Sequence, residues 1–177
     1  GGSLALATYG GTTSTVLEAD VACNGTALQY TALVLAYANI NSNLFMKVQG
    51  QSGTGQFSNA AFYIGNNGSG GSFGTGFFTL SAPFTTAHMK VELVGSTVTM
   101  TFSNIDGGSG VQTYTGTGAT GTGGNGIGIG GFATLARLDN FATPGALVCD
   151  YCLTDTYGFD WCLNVIATDG QAYYLDG

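Results

Sequence analysis

Charge is scarce in this chain. Of 177 residues only 7% are charged, against about a quarter in an ordinary globular domain. Three basic residues, Lys47, Lys90 and Arg137, stand against ten acids, for a net charge of −7. So few cations exclude a nucleic-acid partner, because there is nothing to neutralise a phosphate backbone. They exclude binding to an anionic membrane surface for the same reason. A single histidine, His88, removes multi-His metal sites and most His-based catalysis. No window approaches the roughly 20 continuous apolar residues of a membrane span, so no membrane insertion is expected. Proline is nearly absent too, with 2 residues.

What is present is glycine, 31 residues of it, within a chain that is 44% hydrophobic and 12% aromatic. That apolar content excludes disorder and suffices for a sizeable core. The surface left over is Ser, Thr, Asn, Gly and some exposed apolar groups, which favours association with like copies or with another neutral polymer.

Period-two alternation dominates, in short runs separated by Gly/Asn/Ser/Thr turns, and no amphipathic helix is visible. In His88–Val94, Met89, Val91 and Leu93 face one way and His88, Lys90 and Glu92 the other. After Gly95-Ser96, the residues Val98, Met100 and Phe102 resume the buried side. This predicts a hairpin with a type II′ turn. Further strands are predicted at 4–8, 13–22, 29–37, 44–49, 56–64, 77–81, 111–117, 126–132 and 135–142. The glycine-rich stretches 66–76 and 116–124 are predicted loops. Many short strands without helices predict an all-β, two-sheet antiparallel sandwich.

The run Gly124-Asn-Gly-Ile-Gly-Ile-Gly-Gly-Phe132 contains a literal G-x-G-x-x-G, with Asp150 about twenty residues on. A dinucleotide loop requires a strand before the first glycine and a helix after the last. Here a Gly/Thr loop precedes, and only Ala133-Thr134 separates the run from the next strand. The segment therefore reads as a strand, with Ile127, Ile129 and Phe132 on its apolar side. Its glycines leave the other side open to close approach.

Several ordered segments carry a resemblance: Leu17-Glu-Ala-Asp-Val21, Ala32–Asn39, Leu44-Phe-Met-Lys-Val-Gln49, Met89–Leu93, Gly128-Ile-Gly-Gly-Phe132 and Arg137-Leu-Asp-Asn-Phe141. In this order, over roughly residues 1–143, the chain resembles the concanavalin A-like lectin/glucanase superfamily, in its laminin-G-like bacterial branch. The resemblance implies a jelly-roll sandwich serving carbohydrate binding, adhesion or scaffolding, with enzymes as a subset. It divides the chain into a sandwich, 1–144, and a cysteine-containing extension, 145–177. In the extension, Trp161–Thr168, the Asp169-Gly170 turn and Gln171–Leu175 predict one more hairpin.

Four cysteines, Cys23, Cys149, Cys152 and Cys162, lack paired CxxC zinc spacing and lack a redox βαβ context. They are expected as structural disulfides of a secreted or surface-exposed protein, trimmed of a signal peptide. Cys149 or Cys152 would join Cys162, and the remaining one would tie Cys23 to the extension. Asn24 and Asn67 open N-glycosylation triplets.

Calcium is the one metal candidate. In related jelly rolls a structural ion sits between an early strand and an acid on the closing strand, and Glu18, Asp20 and Asp139 match those positions. The alternative is that Asp139 pairs with Arg137 on the same strand face. No other cofactor is required. Sugar platforms need exposed aromatics, for which Tyr151, Tyr157, Trp161, Tyr173 and Tyr174 are candidates, with Phe73, Phe77 and Phe78 after the glycine loop. Glycoside hydrolysis needs two carboxylates facing across a cleft. Glu18-Ala-Asp20 lacks the third acid that the superfamily's glucanases carry on one strand.

The leading expectation is a non-catalytic extracellular protein that self-associates as a subunit of a surface filament, sheath or matrix. A carbohydrate-binding module is the alternative, and a glycoside hydrolase ranks third.

Overall fold

The computed structural model describes residues 2–8, 14–65, 71–120, 123–124, 126–132, 136–142, 150–154 and 160–164. Side chains are described within 15–65, 71–120, 123–124, 126–132 and 136–142. Among the described residues every regular element except one short 3₁₀ turn, Ile105–Gly107, is a strand. The strands are β1 (Gly2–Thr8), β2 (Ser14–Cys23), β3 (Gln29–Asn39), β4 (Ser42–Gly50), β5 (Phe57–Ile64), β6 (Gly71–Phe84) and β7 (Thr86–Val94). There follow β8 (Thr97–Ser103), β9 (Gln112–Thr117), β10 (Gly126–Phe132), β11 (Ala136–Ala142), β12 (Asp150–Thr154) and β13 (Asp160–Asn164).

Two antiparallel sheets form the sandwich, a six-stranded one in the order β1-β10-β3-β4-β5-β6 and a five-stranded one in the order β11-β2-β7-β8-β9, and β12 pairs with β13 in a separate two-stranded sheet. The predicted β7–β8 hairpin forms with Val94 opposite Thr97. Gly95 takes φ +60° while Ser96 keeps an ordinary φ, as a type II′ turn requires. The alternation then decides the layering. Leu17, Ala19, Val21, Met89, Val91, Val98, Met100 and Phe102 from the five-stranded sheet meet Leu33, Leu35, Leu44, Met46, Val48, Ala60 and Phe62 from the other. Each Leu, Val, Met or Phe among these contributes about 1.5–3 kcal/mol by leaving water. The rings of Phe57, Phe84 and Phe102 continue the core, with centroids 5.7 and 5.1 Å apart.

The glycine run 126–132 is strand β10, paired on both sides with β1 and β3. Ile127 and Ile129 face the core, while Gly128 and Gly130 share the opposite face with Val34 and Ala32. A Cβ at Gly124, just before the strand, would lie 2.3 Å from the Tyr37 backbone, so only glycine passes there.

Two expectations change, and a pairing not foreseen is added. The stretch 66–76 is not wholly a loop, since β6 begins at Gly71 and buries Phe73. Gly74 is needed where β6 meets β9, because a Cβ there would run into the Gly116 backbone. Composition alone hides that close approach. Cys23 is a free thiol, 3% exposed in the sandwich core, so the tie from Cys23 to the extension is not made. Its sulfur lies where the second sheet closes over it, 2.8 Å from a Cβ built on Gly50. Lastly, the strand containing Trp161 pairs with the upstream segment 150–154, placing Cys152 directly opposite Cys162. The expected partner strand 171–175 and its Asp169-Gly170 turn lie outside the described residues.

The β6–β9 side of the sandwich is laced by side chains. The Gln112 amide accepts from Ala82 N (3.2 Å) and donates to Ala82 O (2.8 Å), as a neighbouring strand would. Tyr114 Oη accepts from Ser81 N at 2.7 Å and donates to the same Gln112 oxygen.

Candidate functional site

The outer faces of the two sheets differ in chemistry. In the six-stranded sheet Lys47 is the one charged residue in any strand. It lies on β4 between Ala32 of β3 and Ala61 of β5. These small neighbours leave room for larger groups at the diagonals: Tyr30 on β3, Tyr63 on β5 and Phe77 of β6, which pairs with Ala61. The Lys47 Nζ sits 5.0 Å from the Tyr30 ring, 5.0 Å from Tyr63 and 5.7 Å from Phe77. This is cation–π distance to all three.

The walls of this cup are themselves braced. Tyr30 stacks on Phe132 at 5.6 Å and 14°, and meets Phe45 edge-on at 6.0 Å. Beneath them Ala32, Val34 and Phe45 form a second small apolar cluster with Tyr30, Tyr37 and Tyr63 packed on it. Phe77 closes the cup on the β6 side and is 47% exposed, an unusual position for a phenylalanine. Beside the rings runs a strip of amides. Gln51 donates to Asn59 Oδ1 at 2.8 Å, and Asn59 donates to Thr79 Oγ1 at 3.4 Å. Gln49 pairs in register with Tyr30 on one side and Asn59 on the other. Burial pushes the Lys47 ammonium below its usual pKa of 10.5 and the Tyr30 phenol above its usual 10.0. Among the described residues no carboxylate pairs with Lys47.

The five-stranded sheet carries the sandwich's other described strand charges, on β11, β2 and β7. His88 is bracketed by two acids, with Nδ1 2.8 Å from Asp20 Oδ1 and Nε2 3.4 Å from Glu18 Oε2. Asn140, at φ 52°, donates to Asp20 Oδ2. Burial works to raise the Asp20 pKa, but hydrogen bonds from Asn140 and His88, and attraction to His88, outweigh it and hold the carboxyl below 3.8. A hollow of about 400 Å³ adjoins this group, with Asp20, Arg137, Asp139, Asn104 and Thr86 among its lining.

The expected site residues fare unevenly. Of the calcium candidates, Asp20 and Asp139 stand opposite each other in register. The Asp20 carboxylate is, however, occupied by His88 and Asn140. Among the described residues no group of three or more His, Cys, Asp or Glu is gathered for a metal. Nor is Arg137 paired with Asp139, whose Oδ1 accepts instead from Asn140 N. Tyr151 and Trp161 fall on β12 and β13, described in backbone only, and Tyr157, Tyr173, Tyr174 and Asn67 lie outside the described residues. Asn24 sits in the loop between β2 and β3 that Gln29 holds through four hydrogen bonds. Of the three phenylalanines, Phe73 and Phe78 join the core and Phe77 joins the cup.

Sequence reasoning missed Lys47, Tyr30 and Tyr63. The available signal was a single charge inside Leu44-Phe-Met-Lys-Val48, a strand whose two faces are both apolar.

No protein-family model and no curated protein matches the sequence. Among solved structures, similarity extends to the marine PL7 alginate lyase AlyA1 from Zobellia galactanivorans, at 13% identity and TM-score 0.35. It extends also to the CBM2 module of the evolved Dit of Lactobacillus casei BL23 phage J-1, at 13% identity and TM-score 0.38. The matches cover 78% and 77% of this chain but 64% and 66% of those chains, just under two thirds of their length. Likenesses this distant carry no argument about the activity of this chain.

Proposed function

We propose that the chain is a non-catalytic extracellular carbohydrate-binding sandwich of the concanavalin A-like type. It holds a glycan against the outer face of its six-stranded sheet and needs no cofactor to do so. The observation that carries this reading is the half-exposed Phe77 ring standing beside Lys47, Tyr30 and Tyr63, next to a strip of side-chain amides. A pyranose has an apolar C–H face and a hydroxyl rim. Its recognition calls for exposed ring surface next to a few placed polar groups. The braced walls of the cup keep the rings in place before any ligand arrives, which lowers the ordering cost of binding.

The strand order, with β10 and β2 inserted between strands distant in sequence, supports the resemblance in the sequence. The nearest carboxylate pair on the other sheet, Glu18 and Asp20, is bridged by His88 rather than set across a cleft. That favours binding over glycoside hydrolysis. The self-associating filament subunit draws on the same lightly charged surface. At the β6 edge, however, Gln112 occupies the backbone groups of Ala82 that an incoming strand would use.

The test is a glycan array probed with the wild-type chain and with Phe77→Ala. Wild type is expected to retain a defined set of glycans and the variant to lose them while keeping its urea midpoint. An array on which wild type binds nothing overturns the reading.

A further inference from the structure

Resting on that reading, we infer that the preferred ligand is a largely neutral polysaccharide carrying isolated hexuronate residues, whose carboxylate is taken by Lys47. The six-stranded sheet holds one ammonium and, among its described strands, no carboxylate to neutralise it. The three rings around Nζ attract the cation but supply no anion. A half-buried ammonium in such a setting forms a stronger contact with an anionic oxygen than a solvated one would, because the local dielectric is lower.

Geometry selects a carboxylate attached to a pyranose. The C5 carboxylate of a hexuronate projects near the plane of its sugar ring. A sugar lying across the exposed part of Phe77 therefore presents it at the sugar's rim, within reach of the ammonium that stands over that ring, 5.7 Å from its centre. Charge density selects a sparse acid. The chain carries −7 overall, and its other described basic strand residues, Lys90 and Arg137, belong to the opposite sheet. A polymer charged at every sugar would meet one cation and repulsion from the rest, whereas isolated uronates among neutral sugars meet Lys47 and little else.

The experiment measures affinity by titration calorimetry for glucuronoxylan, gum arabic and polygalacturonate, each beside its carboxyl-reduced form. Wild type is expected to bind glucuronoxylan or gum arabic roughly tenfold to a hundredfold more tightly than the reduced form, the worth of one charge-assisted hydrogen bond. Polygalacturonate is expected to bind more weakly than these. Lys47→Met should erase the difference between native and reduced polymer, and Lys47→Arg should keep it. Equal binding of native and reduced forms, both lost in Phe77→Ala, overturns the uronate inference and leaves the glycan face standing. Preference for polygalacturonate overturns the sparse-acid inference. No binding to any of the polymers, native or reduced, overturns the uronate inference, while the glycan array decides the glycan face separately.

Discussion

The two sheets share a core and diverge on their outer faces. One face is uncharged but for a lysine walled by rings; the other gathers acids around a histidine. Alternation makes this possible: each strand spends every second residue on the common core, and the rest are free to differ between sheets. The core positions are nearly interchangeable in kind, Leu, Met, Val and Phe on both sides. Chemical identity sits on the outside, and neighbours in register, not in sequence, create it.

The harshest way to break the comparison is to remove what the faces have in common. Phe62 is fully buried and touches Phe73 and Phe78. Phe62→Ala is expected to cost about 3–5 kcal/mol in urea unfolding. Both faces should fail together in a single transition; two separate transitions would mean the sheets fold independently. Next comes the laced side where the sheets meet. Gln112→Ala removes the strand-like cap on Ala82, an expected loss of about 1–2 kcal/mol, and light scattering should show concentration-dependent association through the bared β6 edge. A variant that stays monodisperse would show that the cap protects nothing.

Finer tests separate the faces. Lys47 is depressed by burial, so the unfolded chain binds its proton more tightly than the folded one. Lys47 therefore contributes a rise of stability with pH from its lowered value up to about 10.5, against the fall that the raised Tyr30 and Cys23 contribute. Lys47→Met should leave the steeper alkaline fall of those two. Asp20 has the same slope with pH but the opposite sense for the fold: its charged form contributes stability, where the charged Lys47 costs it. Its carboxyl is held below 3.8, so the stability it contributes is present above that value and fades as pH falls through the lowered one. Asn140→Ala should shrink this acid-side loss, the smallest effect of the series, read from unfolding midpoints between about pH 2 and 5. An unchanged acid limb would mean that Asn140 does not hold the carboxylate.

Much of the fold was legible because period two is a local signal. The β7–β8 hairpin and the extent of β10 follow from residues within a few positions of one another. The start of β6 was hidden because Gly71, Gly74 and Gly76 look like loop. At Gly74 the approach to Gly116, far along the chain, makes glycine a strand requirement. The cup was illegible for a related reason. Lys47, Tyr30, Tyr63 and Phe77 come from four strands, and each alone reads as an ordinary strand residue. His88 likewise showed in the sequence only as a polar residue on the face away from the core, and register sets Asp20 opposite it.

The buried Cys23 has a use beyond packing. Its sulfur is on the five-stranded sheet, yet the space beside it belongs to Gly50 of the six-stranded sheet. Burial raises its pKa, so the thiol stays protonated and unreactive while the layers are closed. Modification of Cys23 by an alkylating reagent thus reports how often the two layers part, a built-in clock for the breathing of the sandwich that needs no added label.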